Sequence, residues 1–179
     1  MSDTARPAVY SSSQMLAHWL IAFLVLFQFA SGGGMEQAFD AAMEGVAPML
    51  SGAVFVHGFF GLTIFVLMLW RLGMRYSYGA PPPPETEPEK LQYLSRGVHY
   101  AFYAILIGMP LAGLGAVLLQ SGVLATIHGW TSKLLILLAA MHVAGALWHL
   151  TKGDGVVHRM IRNDPATNDT VEETVTHRT

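Results

Sequence analysis

The chain of 179 residues contains no cysteine. That excludes disulfides, thiolate zinc sites, iron–sulfur clusters and haem attached covalently through a CxxCH motif. Charge is also scarce: 12% of residues are Asp, Glu, Lys or Arg while 53% are hydrophobic, and the mean hydropathy is +0.42. A soluble domain carries about 25% charged residues, so this composition points to lipid as the surrounding solvent. No internal repeat is evident. No nucleic acid is expected as a partner, and the net charge of −2 identifies none by itself.

What is present is long uncharged runs. Residues 11–35 and 45–70 contain no Asp, Glu, Lys or Arg, and each supplies the ~20 residues that a membrane-spanning helix needs. From 97 to 151 the only charged residue is Lys133. That run is too long for one span and reads as two helices joined near Gln120-Ser121-Gly122, where polar and flexible residues cluster. The expectation is an all-α, integral membrane four-helix bundle with helices over roughly 14–33, 52–73, 97–119 and 127–150. Residues 1–13 read as an N-terminal segment, 14–162 as the membrane domain, and 163–179 as a polar, disordered tail. The first segment is long, has a single Arg6 upstream and is followed by another span, so it reads as a retained helix rather than a cleaved signal. The Pro-rich stretch 81–84 reads as an extended strap between helices two and three.

Basic residues collect in the loops that stay cytoplasmic. Arg71, Arg75, Lys90 and Arg96 lie between helices two and three, and Lys152, Arg159 and Arg162 follow helix four. The connection 32–52 has Glu36, Asp40 and Glu44 but no basic residue. Both termini are therefore expected on the cytoplasmic side of the membrane.

With this topology the histidines sort by depth. His18 and His99 fall near the inner face, His57 near the outer face, and helix four carries His128 near the outer face and His142 near the inner one. Fourteen residues at 100° each make ~1400°, about 40° short of four turns, so His128 and His142 project from nearly one side of their helix, ~21 Å apart. Each then needs a partner at its own depth: His57 for His128, and His18 or His99 for His142. Ionisable rings are costly in hydrocarbon and face a bundle interior for a reason. Zinc or copper would also accept imidazoles. Two separated sites with two good ligands each suit best an iron already held by four porphyrin nitrogens, six-coordinate and built for one-electron transfer. Small residues near these rings, including Gly58, Gly61, Gly129 and Gly145, would let a flat macrocycle approach.

The stretches AHWLIAFLVL around His18, HGFFGLTIFVLMLWRL from His57, GVHYAFYAILIGMPLAG around His99, and HGWTSKLLILLAAMHVAGALWHL with its two histidines, followed by GDGVVHRMI, resemble the bacterial cytochrome b561 family of four-helix, di-haem membrane proteins. The resemblance runs from about residue 11 to 161. It implies two haem b groups stacked between the helices, with His18 and His142 on the inner iron and His57 and His128 on the outer one. It implies that His99 is not an axial ligand, leaving it and Arg71 as possible contacts to a propionate or quinone, and it places His149 near an inner quinone. The activity it implies is that of an oxidoreductase moving electrons from superoxide at the outer haem to ubiquinone. The acidic connection 32–52, offset only by Lys133 one turn below His128, suits a basic soluble donor such as a c-type cytochrome better than an anion. The competing function is a non-catalytic, haem-bearing anchor or electron-relay subunit of a larger dehydrogenase or hydrogenase. A proton-linked transporter would need charged or unwound helix centres, and apart from Pro110 none is visible.

Overall fold

The computed structural model describes residues 10–83 and 87–162; the expected disordered tail and Arg6 lie outside the described residues. Four long helices, α1 (Ser12–Met43), α2 (Gly52–Tyr78), α3 (Glu89–Leu118) and α4 (Gly122–Lys152), are followed by a short 3-10 turn, His158–Met160. Among the described residues there is no strand. All four helices are long and apolar enough to cross a membrane, so the chain is an all-α, multi-pass membrane bundle.

Local chemistry sets the helix ends. Ser11 and Gln14 form a reciprocal capping box at the start of α1, satisfying backbone N–H groups that the first turn leaves free. Gly79 (φ 75°) and Gly153 (φ 66°) end α2 and α4 in conformations that a side chain disfavours. Pro88 precedes α3, and the Ser121 hydroxyl accepts from Leu124 N–H to start α4.

Each helix overruns the expected limits at one or both ends. The largest difference is in α1, which continues through Gly32-Gly33-Gly34 to Met43. Glu36 and Asp40 therefore sit on a helix, and Glu44 is its C-cap, rather than in a loop. Polarity marks where a helix leaves hydrocarbon, whereas backbone hydrogen bonding continues for as long as the residues tolerate it. At 1.5 Å per residue, α1 is ~48 Å long against a hydrocarbon core of ~30 Å. α3 likewise starts at Glu89, so His99 lies three turns inside it rather than at its start.

The bundle has two ends. The basal end carries the start of α1, the end of α2, the start of α3 and the end of α4. The distal end carries the α1–α2 and α3–α4 connections. α1 packs on α2, α2 on α3 and α3 on α4, while α4 makes no comparable backbone approach to α1 or α2. A buried apolar layer of Ile21, Leu24, Ile64, Met68, Leu106 and Leu135 fills the middle. Leu135, 1% exposed, lies midway along α4 between His128 and His142. Large side chains such as Leu16, Phe23, Leu26 and Phe59 face outward, as lipid contact requires. The basal end is tied by long-range hydrogen bonds: Trp19 Nε1 donates to the Met160 carbonyl (2.8 Å) and Arg159 Nη1 to that of Pro82 (2.7 Å).

Candidate haem-binding sites

Four helices bring five imidazoles into two layers. In the distal layer, His57 of α2 faces His128 of α4 with ring centres 6.0 Å apart at an interplanar angle of 70°. In the basal layer, His18 of α1 faces His142 of α4 at 6.1 Å and 62°. His99 of α3 lies edge-on to His142 at 5.4 Å and 88°, and Phe102 closes another side of that ring at 5.5 Å. The two apposed pairs have almost the same separation although different helices build them.

That separation carries chemical information. If two imidazoles hold one metal from opposite sides, each nitrogen about 2 Å from it and about 1 Å from its own ring centre, the ring centres stand about 6 Å apart. Both apposed pairs meet this spacing, and His99 stands closer to His142. Among the described residues, no three His, Asp or Glu side chains converge as a bare ion would require. Pairs of imidazoles suit a metal whose remaining positions come from a macrocycle. The weak approach of α4 to α1 and α2 coincides with the elements whose histidines face one another. A Cβ built on Gly58, Gly129 or Gly145 would meet no atom within 4 Å, so the backbone beside these rings is open to a flat group.

The hydrogen bonds prepare the rings differently. His128 Nδ1 lies 2.9 Å from the Met109 carbonyl oxygen, which only accepts, so Nδ1 carries the proton and Nε2 is left with its lone pair. Metal-bound histidines characteristically donate their second N–H in this way. Gly113 makes the approach possible: a Cβ there would lie 3.0 Å from His128 Nδ1. In the same layer, the Gln28 amide donates to the His57 backbone carbonyl (2.9 Å), while His57 Nδ1 and Gln28 Oε1 are buried without partners. Orphaned buried polar atoms are rare, and this one belongs to a ring whose opposite number is prepared for coordination. His99 Nδ1 donates to the Ser95 carbonyl (2.7 Å). Sequence reasoning missed Gly113, Met109 and Gln28. The signal for Gly113 was a glycine fifteen residues before His128 on the preceding helix, and only the α3–α4 packing gives it meaning.

The remaining candidates divide. Arg71 donates to the Gln14 carbonyl at 2.6 Å, and its charge acts on His18, His99 and His142, so it belongs to the basal layer. Lys133 does not reach the distal pair. It lies about 140° round α4 from His128 at 100° per residue, is exposed, and rests its ammonium 4.5 Å above the Trp130 ring. His149 is in neither pair and has the carboxylates of Asp154 and Glu87 beside its ring.

Residues 9–163 match the family model described as prokaryotic cytochrome b561. The chain is also similar to cytochrome b562 of Cereibacter sphaeroides, with 32% identity over 154 residues covering 86% of this chain and 95% of that protein. Four apolar helices, imidazole pairs spaced for a metal and a match across the bundle converge: the chain belongs to the prokaryotic cytochrome b561 family, multi-pass bacterial membrane proteins that bind haem b and transfer electrons.

Proposed function

We propose that this protein is a di-haem b cytochrome passing single electrons along the bundle axis, between a donor at the distal end and ubiquinone near the basal end. The carrying observation is the pair of facing imidazole couples, 6.0 and 6.1 Å between ring centres, with an apolar layer between them. His57 and His128 would hold one haem, and His18 and His142 the other. Haem b, when bound, would supply the one-electron couple. His128 is held in its ligating tautomer by the Met109 carbonyl, and Arg71 and Arg75 supply positive charge beside the basal layer, where propionates would pair. Leu135 and its neighbours exclude water between the layers. The basal end, carrying Arg71, Arg75, Lys90, Arg96, Lys152, Arg159 and Arg162, is the cytoplasmic one.

Charge distinguishes the donors at the distal end. Glu36, Asp40 and Glu44 recur every four residues along the distal extension of α1, and Lys133 is committed to Trp130. This face favours a basic soluble redox protein, such as a c-type cytochrome, over anionic superoxide.

Purified protein is expected to hold two haems per chain, with two b-type components in a reductive titration. His18→Ala is expected to lose one component, whereas His99→Ala keeps both, because His99 sits edge-on to His142 at 5.4 Å, closer than two rings sharing one metal would stand. Reversal of these outcomes would replace His18 by His99 as the ligand. With a quinone analogue as acceptor, faster turnover with reduced cytochrome c than with superoxide is the expected result; the opposite order would assign superoxide as the donor.

A further inference from the structure

The face of α4 that carries His128, Leu135 and His142 at seven-residue intervals reaches a fourth position at His149. Its Nδ1 stands 2.6 Å from Asp154 Oδ2 and its Nε2 3.7 Å from Glu87 Oε1. Two carboxylates thus approach this one ring. The three side chains are only 15%, 15% and 8% exposed, in the order His149, Asp154, Glu87. Glu87 comes from the strap before α3. Asp154 comes from the turn after α4, where Gly153 and Gly155 both have positive φ and the Val156 N–H donates to Asp154 Oδ1 at 3.2 Å.

The surrounding charges leave the ring to these two acids. Lys152, on the same helix, places its ammonium 3.8 Å above Trp148. Arg159 is bonded to the Pro82 carbonyl, and the charges of Arg71 and Arg75 on α2 act on the basal imidazoles. Burial acts to raise the Asp154 pKa, but the His149 hydrogen bond, the Val156 amide and the Lys152 charge outweigh it and hold the carboxyl below its ordinary value. The Asp154 carboxylate is within hydrogen-bond distance of Nδ1, and that of Glu87 faces Nε2 from 3.7 Å.

We propose that Glu87, His149 and Asp154 form a proton-exchange site coupled to the electron at the basal imidazole pair. The inference rests on reading His18 and His142 as the ligands of an electron-carrying haem. When one electron arrives, one proton is taken up from water: an O–H bond of water breaks and an N–H bond forms at His149 Nε2, on the side that faces the Glu87 carboxylate. When the electron leaves, the proton returns by the same route. His149 is seven residues beyond His142, ~10.5 Å along the helix. At that separation two unit charges in a medium of effective dielectric ~20 shift an equilibrium by about tenfold. Tenfold is about 59 mV for a one-electron couple.

The test is a potentiometric titration of the full chain with both haems bound, repeated over a pH series. The component that His18→Ala removes is expected to fall by about 59 mV in total as pH rises through the ring's titration, since the protonated ring favours the reduced state. The component that His57→Ala removes should stay level. His149→Gln is expected to abolish the step, and Glu87→Gln and Asp154→Asn to displace or shrink it, with two haems retained as proof of folding. Nitrogen-15 NMR of the His149 ring should show it more protonated in the reduced protein. A level basal component, a step unchanged in His149→Gln, or a ring indifferent to reduction would each overturn the proposal. Failure of the haem reading shows itself separately, as fewer than two haems before any pH is varied.

Discussion

His142→Ala is expected to give a protein with one haem in place of two, lacking the basal b-type component and keeping the distal one. His142 is the single ring in contact with both other basal imidazoles, His18 at 6.1 Å and His99 at 5.4 Å. Those two come from α1 and α3, so the position on α4 opposite His18 has no substitute. Loss of an outer-shell partner alone weakens metal binding by ~10–100-fold, and deletion of an axial ligand is expected to exceed that range. The residues of the central apolar layer do not include His142, so the variant should still run as a monodisperse protein in detergent. Free imidazole added to it is expected to restore part of the missing component by filling the space beside Phe102. Two haems in His142→Ala, with both potentials unmoved, would dismantle the pairing.

Gly113→Val should remove the distal component without touching either of its ligands. A Cβ at this position already lies 3.0 Å from His128 Nδ1 and 3.1 Å from Cε1, and valine adds two methyl groups. The ring has little freedom to retreat, because its Nδ1 proton is held by the Met109 carbonyl at 2.9 Å. Moving away breaks that bond and swings Nε2 off the line to His57. Gly113→Ala is expected to give a milder form, with the distal component retained at a shifted potential. Gly115→Ala provides the control for general damage to α3–α4 packing. Its Cβ would meet Leu124 Cδ1 at 2.8 Å, the end of a flexible side chain, and overpacking of this kind costs ~1–3 kcal/mol. That variant should melt at a lower temperature and keep both components; equal haem loss in Gly113→Val and Gly115→Ala would mean that packing, and not His128, is what Gly113 protects.

The two histidine layers were legible because helical geometry is rigid. Fourteen residues on a straight helix fix both the separation and the shared face of His128 and His142, and topology then assigns His57 to one depth and His18 and His99 to the other. Distance along the axis leaves rotation out: five residues turn Lys133 about 140° round α4 from His128, where its ammonium rests on Trp130. His149 was placed on the right face, but its acids were not foreseen. Glu87 and Asp154 lie sixty-two residues before it and five after it, and only the closing of the basal end brings both to one ring.

The composition and the spacing of the apolar runs by themselves determined a four-helix membrane bundle with two depths of histidine, since burying polar backbone in lipid leaves a helix as the one local solution for such segments. How each ring is held, and that His99 lies edge-on to His142, came from the tertiary structure alone. α4 lies against α3 and stands off from α1 and α2, so His128 finds a carbonyl of α3 on one side and His57 on the other. Contacts of that kind depend on the relative rotation and distance of helices far apart in the chain, which the pattern along any one helix does not encode.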